Sequence, residues 1–249
     1  GNEEPAIQKT EKGRMIAERM KNIQHKLDPT RMCTAAMNGG WGSGFSLAVD
    51  VQGANYFKIG NLDDVHKKLP QLPCILTEEA STLTTRGIYS TIKEKDHHQS
   101  YDHDRPNWGA TAQEWMRYVD ARKFVAGAFV WTGFDYLGEP TPYYTDWPSH
   151  SSLFGIIDLA GLPKDRYYLY RSHWNKDKET LHILPHWNWE GREGEITPVF
   201  VYTNYPSAEL FINGKSQGKR TKDLSIGIDS SYTEAAQKSF ERQKRYRLM

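Results

Sequence analysis

Along the first two-thirds of the chain, short continuous apolar runs alternate with stretches whose apolar residues recur at helical spacing. Between residues 13 and 27 the apolar positions Ile16, Met20, Ile23 and Leu27 fall on one helical face, and Pro29 closes the pattern. Residues 31–36 read as a strand. A Gly/Trp-rich loop at 38–44 separates them from a second apolar run, 47–51, which leads into Gly53-Ala54-Asn55-Tyr56. Residues 62–69 read as a short helix and 72–76 as a buried strand ending at Thr77-Glu78-Glu79. The polar stretch 93–107 reads as a surface loop. Residues 111–123 form a helical pattern and 124–131 a further strand. A long loop spans 137–158, and an aromatic helix is expected at 166–174.

Strand–loop–helix units in this order imply a parallel sheet with helical crossovers. Continuous apolar strands fit a sheet buried on both faces. Polar and aromatic residues collect just after the strands: Asn2 and Glu3, Asn38, Asn55 and Tyr56, Glu78, and Trp131. In a (β/α)8 barrel that rim is where active sites are built. About four units are present where a closed barrel needs eight, so residues 1–178 are expected to be the second half of a barrel. After about Asp177 the pattern changes. Residues 198–203 read as a strand, 208–212 alternate, and Asn213-Gly214 signals a type I′ hairpin with 215–218 as its return. Residues 179–249 are therefore expected to be part of an all-β sandwich, with Tyr246 and Leu248 hinting at a strand in the charged tail. The opening Gly1-Asn2-Glu3-Glu4-Pro5 has neither an initiator Met nor an export signal, so the other barrel half is expected upstream and the compartment cannot be read.

Charge and cysteine content narrow the classes. A formal net charge of +1 gives no reason to expect nucleic acid or an anionic membrane as partner. No run approaches about 18 apolar residues, so no membrane-spanning helix is expected. Two cysteines, Cys33 and Cys74, exclude a disulfide framework and a cysteine-rich zinc site, and both read as buried free thiols. His97, His98 and His103 read as solvated loop histidines, and no metal site is expected within the chain. Eight Trp and fourteen Tyr suit a Trp-rich core as well as flat surfaces for sugar rings.

Two carboxylates at the ends of different strands carry the candidate chemistry. Hydrolysing a glycosidic bond with retention needs a carboxylic acid to protonate the leaving oxygen and a carboxylate to attack the anomeric carbon, about 5–5.5 Å apart. Rim positions on separate barrel strands can supply that separation. Neighbours such as Glu78 and Glu79 cannot, because a one-residue shift along a strand reverses the face.

The residues around these carboxylates resemble glycoside hydrolase family 2, the family of bacterial β-galactosidases and of β-glucuronidases. Gly1-Asn2-Glu3 resembles the end of its fourth barrel strand, and Ile75-Leu76-Thr77-Glu78-Glu79-Ala80-Ser81-Thr82 its seventh-strand segment. Val51-Gln52-Gly53-Ala54-Asn55-Tyr56 resembles the sixth strand. The run from Phe129 through Trp131 and Asp135 to Pro140 resembles the eighth, and Glu209–Lys215 a hairpin of an immunoglobulin-like sandwich that follows. The resemblance implies a retaining exo-β-glycosidase, foremost a β-galactosidase, acting on carbohydrate without a resident cofactor. It implies Glu3 as acid/base and Glu78 as nucleophile, with Glu79 the alternative register. Tyr56 would hydrogen-bond the nucleophile, Asn2 the sugar's 2-hydroxyl, and Trp131 would wall the pocket, with Asn55 and Asp135 as further substrate contacts. Glu3 should be held protonated and Glu78 ionised near neutral pH.

Alternatives stay open. They are a β-glucuronidase, a polysaccharide-directed β-glycosidase, or a non-catalytic carbohydrate-binding fragment. Asp135 and Glu139 could equally bind backbone amides, and Trp41 could equally anchor its loop. Ser81 stands where the best-known β-galactosidases carry a His. Those enzymes draw a divalent cation from residues upstream of Glu3. The resemblance places such proteins in the bacterial periplasm or cytoplasm.

Overall fold

In a computed structural model, which describes residues 2–144, 148–192 and 194–222, the chain packs into two compact units. Among the described residues, one comprises positions up to 82 and 105–133, the other 83–104 and positions from 134 on.

The first unit is α/β. After a one-turn helix α1 (Pro5–Gln8), helix α2 (Glu11–Leu27) begins where the Thr10 hydroxyl accepts the Gly13 N–H at 3.0 Å. Glu11 in its first turn and His25 and Lys26 in its last suit the helix dipole. Strands β1 (Gln52–Asn55), β2 (Cys74–Ala80) and β3 (Val125–Trp131) form a parallel sheet in that order. A parallel bridge between Thr34 and Val51 adds the 31–36 segment beside β1. Helix α3 (Leu62–Lys68) precedes β2, and α4 (Ala112–Asp120) precedes β3. The α4 start is a full capping box between Thr111 and Glu114, and its Trp115 is buried.

Two expectations need correction here. The 31–36 segment contributes a single bridge rather than a strand, and 47–51 begins inside a 3-10 turn, Gly44–Leu47, with the strand starting only at Gln52. The apolar stripe of α2 also faces away from the packing. Ile16, Met20, Ile23 and Leu27 are exposed, whereas Gly13 and Ala17 are buried against Met37, Phe45 and Ala48. Close approach decides this, since a Cβ on Gly13 would lie 2.0 Å from the Ile7 carbonyl oxygen. Polar ties hold the same side. Asp50 accepts from Lys21 at 3.3 Å and from the Cys33 N–H at 2.8 Å, and it lies 2.8 Å from His25. Cys74 is buried but Cys33 only half-buried, and both are free thiols.

The second unit holds helix α5 (Asp165–Trp174), an antiparallel pair β4 (Leu181–Leu184) and β5 (Phe200–Thr203), and a hairpin β6 (Ser207–Ile212) and β7 (Lys215–Thr221). Asn213 and Gly214 take φ of 49° and 78°, the left-handed pair a type I′ turn requires. The Tyr168 ring stacks on His182 of β4 at 3.9 Å, and Tyr170 is buried. The 93–107 stretch is not a surface loop throughout. Ser100, Tyr101 and Asp102 are buried, and Tyr101 packs against Tyr89 and Phe200. Asp104 anchors the turn by accepting from Thr91, His98 and Gln99, and these bonds hold its carboxyl down at about 2 despite burial. The tail positions Tyr246 and Leu248 lie outside the described residues. Among the described residues no helix is long and apolar enough to cross a membrane.

Candidate active site

The carboxyl ends of β1 and β2 converge on one set of polar side chains. Their register pairs Asn55 with Glu78, and Ala80 with Trp131 at the end of β3. Asn55 is fully buried, and its amide is oriented by Thr77, whose hydroxyl donates to Oδ1 at 2.7 Å. The Nδ2 donors are thereby turned toward carboxylates. One donates to Glu3 Oε1 at 3.0 Å, and the Asn55 amide also favours the ionised form of Glu78. Glu3 is exposed, and its backbone N–H donates to the Ala36 carbonyl at 3.3 Å. Gln8 ties the same loop by donating to Ala36 O and accepting from the Asn38 N–H.

Tyr56 follows β1 with φ 58° and ψ 94° and is buried. Its hydroxyl donates to Glu78 Oε2 at 3.2 Å and accepts from the Ser81 hydroxyl at 3.0 Å. Its backbone N–H donates to the Glu78 carbonyl at 2.8 Å. Glu3, Tyr56, Ala80 and Ser81 all have positive φ, four of the seven such non-glycine residues among those described. Each such residue costs on the order of 1–3 kcal/mol, and strain of this kind collects where geometry is held for function.

Glu78 is raised above the ordinary carboxylate range, first by burial and then by the charge of Glu3. Hydrogen bonds from Tyr56, Asn55 and Asn2 pull the other way by favouring its ionised form. The sequence leads one to expect Glu78 ionised, whereas its burial and the nearby Glu3 charge make a proton harder to remove from it. Burial and the neighbouring carboxylates raise the Tyr56 phenol as well, so it remains a donor.

Glu79 points to the opposite face, as strand alternation requires. It is fully buried, and its oxygens accept the Phe57 and Ala80 N–H groups. A carboxylate so occupied is not placed to attack a sugar.

Asn2, Glu3, Asn55, Tyr56 and Glu78 thus come together, and Trp131 stands one strand over. Ser81 and Thr77 are supporting side chains that sequence reasoning gave no role, and Glu79, the alternative nucleophile there, also supports from the opposite face. The only sequence signal for them is their place on a strand end between two assigned residues. Trp41 donates its indole N–H to the Met37 carbonyl at 2.9 Å and packs beside the Ala17–Phe45 cluster. Among the described residues no group of three or more His, Cys, Asp or Glu is disposed to hold a metal.

Asp135 belongs to the second unit and is buried there. Its Oδ1 accepts the Gly155 N–H at 2.8 Å and the Lys164 ammonium at 2.8 Å. Glu139 accepts the Thr141 N–H at 2.9 Å, again a backbone amide of its own loop. Lys164 also donates to the Thr84 carbonyl at 2.6 Å. Burial moves both partners toward neutrality, raising Asp135 and lowering Lys164 to about 8, while their mutual attraction opposes this. Asp135→Ala is expected to destabilise the protein by about 3–5 kcal/mol in urea titrations, because it strands a buried ammonium. Adding Lys164→Met should recover most of that loss, and a single variant as stable as wild type would deny the pair its structural role.

Known proteins carry the same arrangement of sequence and fold. Residues 194–249 match a family described as a domain of unknown function, DUF4982. The chain is 41% identical over 230 residues to the β-galactosidase BoGH2A of Bacteroides ovatus, covering 84% of this chain and 26% of that protein. It is 33% identical over 238 residues to a putative β-glucuronidase of Formosa agariphila, covering 82% and 22% respectively. A β-glycosidase from Bacteroides vulgatus has a similar solved structure, with a TM-score of 0.70 and 32% identity over 84% of this chain and 30% of that one. The chain therefore spans about a quarter of the length of the curated relatives it matches. Similarity of this extent, at these identities and over both units, places the chain in glycoside hydrolase family 2.

Proposed function

We propose that this chain carries the catalytic pair of a retaining exo-β-glycosidase acting on terminal β-galactosides, with Glu78 as nucleophile and Glu3 as acid, then base. The observation that carries the reading is that two neighbouring residues of one strand end hold the two carboxylates: Asn55 Nδ2 donates to Glu3 Oε1 at 3.0 Å and the Tyr56 hydroxyl donates to Glu78 Oε2 at 3.2 Å, with the Glu3 charge acting on Glu78. In the first step Glu78 attacks the anomeric carbon as the bond to the leaving oxygen breaks and the Glu3 proton passes to that oxygen. In the second, water gives its proton to Glu3 and attacks the same carbon, returning Glu78 as a carboxylate. Tyr56 and Asn2 steady the charge on Glu78 before it attacks and again as it leaves the sugar. Trp131 offers a flat apolar wall to the sugar ring.

The parallel strands are read as half of a (β/α)8 barrel, the remaining strands coming from residues outside this chain. The hairpins of the second unit are read as part of an immunoglobulin-like sandwich. The name of the Bacteroides ovatus relative supports galactose. That of the Formosa agariphila relative supports a glucuronide as the second reading.

Trapping tests both. The whole protein incubated with an activated 2-deoxy-2-fluoro-β-galactoside should gain one sugar in intact-mass measurements, mapped by peptide digestion to Glu78. An adduct formed only with the corresponding glucuronide would move the substrate to the second reading. An adduct on Glu79 would overturn the assignment of the nucleophile, and none with either sugar would overturn the glycosidase reading.

A further inference from the structure

Glu79 has no task in the double displacement, yet it is among the largest fully buried side chains. The two backbone N–H groups it accepts are not arbitrary. Phe57 directly follows Tyr56, and Ala80 directly precedes Ser81. Tyr56 and Ser81 are the two side chains in the relay that runs from the Ser81 hydroxyl to the Tyr56 hydroxyl to Glu78. Both take positive φ, 58° and 50°, as does Ala80 at 75°. Backbone in that region relaxes toward ordinary values unless something holds it. One carboxylate here grips both turns at once.

Resting on the glycosidase reading, we propose that Glu79 is a positioning residue that clamps the Tyr56 and Ser81 turns and so keeps the phenol on the nucleophile. The charged groups that act on it are Lys58, which pairs with Glu114 at 2.9 Å, and Glu114 itself. Burial pushes the Glu79 carboxyl up to about 8, against the two N–H donors and Lys58, so a neutral group is tolerated at this position near pH 7. An amide of the same shape can still accept the Phe57 N–H but not the Ala80 N–H as well, whereas a side chain one methylene shorter falls back from both.

Glu79→Asp and Glu79→Gln in the whole protein separate clamping from mere packing. Glu79→Asp is expected to lower kcat on an aryl β-galactoside by about 10- to 100-fold, with KM within about threefold of wild type. Glu79→Gln, whose amide nitrogen cannot accept the second of the two N–H groups, should lose an intermediate amount, about 3- to 10-fold in kcat, with KM within about threefold of wild type. The loss from Glu79→Asp should nearly vanish in a Tyr56→Phe background, because the two changes break the same relay. Additive losses, or Glu79→Asp behaving as wild type, would overturn the proposal. If Glu79→Asp does not fold, a Glu79→Gln variant that keeps the full kcat would overturn the proposal, and one that loses kcat at unchanged KM would support it. A crystal structure of the folded variant gives a readout independent of turnover. Displacement of the Tyr56 hydroxyl from Glu78 supports the clamp even if wild type hydrolyses no β-glycoside, an outcome that sinks the glycosidase reading alone. An undisturbed Tyr56 sinks the clamp.

Discussion

Glu78→Ala is expected to lower kcat/KM on an activated aryl β-galactoside by about 10⁴- to 10⁶-fold while leaving the fold intact. The size follows from the role. Without a carboxylate beside the anomeric carbon, water must attack an unstabilised oxocarbenium-like centre, and about 6–8 kcal/mol of barrier lowering disappears. The fold should survive because Glu78 is only half-buried and spends its hydrogen bonds on Tyr56, Asn55 and Asn2 rather than on the core. Removing it also relieves a carboxylate that burial and Glu3 hold above its ordinary range. Azide sharpens the test. Entering the space left by the carboxylate, it attacks from the same side and should give a glycosyl azide of inverted, α configuration. The measurement is the rate with and without azide, with the product configuration read by NMR. Activity within about tenfold of wild type would show that Glu78 is not the nucleophile.

Local chemistry fixed much of what was legible in the sequence. The hairpin at Asn213-Gly214 was readable because its turn demands left-handed residues whatever surrounds it. Helix α4 and strand β3 were readable from a cap and a continuous apolar run. The facing of Glu78 and Glu79 follows from strand alternation once one of them is placed. What failed depends on contacts distant in sequence. Periodicity found the apolar face of α2 but not that Gly13 and Ala17 would carry its packing, since that depends on Ile7 and Phe45 lying close by. The polar composition around Ser100–Asp102 concealed burial, because Asp104 satisfies its neighbours' donors and Tyr101 supplies the apolar contact. Strand β4 is too short to read before Phe200–Thr203 pairs with it. At the site the resemblance supplied the chemical residues, and only three-dimensional geometry supplied Thr77, Ser81 and Glu79, whose work is to hold others.

Glu3→Ala should divide substrates by leaving group. With an alkyl or unactivated aryl β-galactoside the leaving oxygen needs a proton as the bond breaks, so kcat/KM is expected to fall by about 10²- to 10⁴-fold. With a dinitrophenyl glycoside the departing phenolate needs no proton, and the first step should remain within about tenfold of wild type. The second step has lost its base, so the glycosyl enzyme should accumulate and kcat and KM fall together, with a burst of phenolate in the first turnover. Glu3 is exposed, so unfolding midpoints should hardly move, and a kinetic loss is not a folding loss. Azide again discriminates. It needs no base, so it should rescue the second step and yield a glycosyl azide of retained, β configuration, opposite to the product from Glu78→Ala. Equal losses on activated and unactivated substrates, or an α-azide, would deny Glu3 the acid/base role. The opposite azide products would place Glu3 and Glu78 on the two faces of one sugar ring, as double displacement requires.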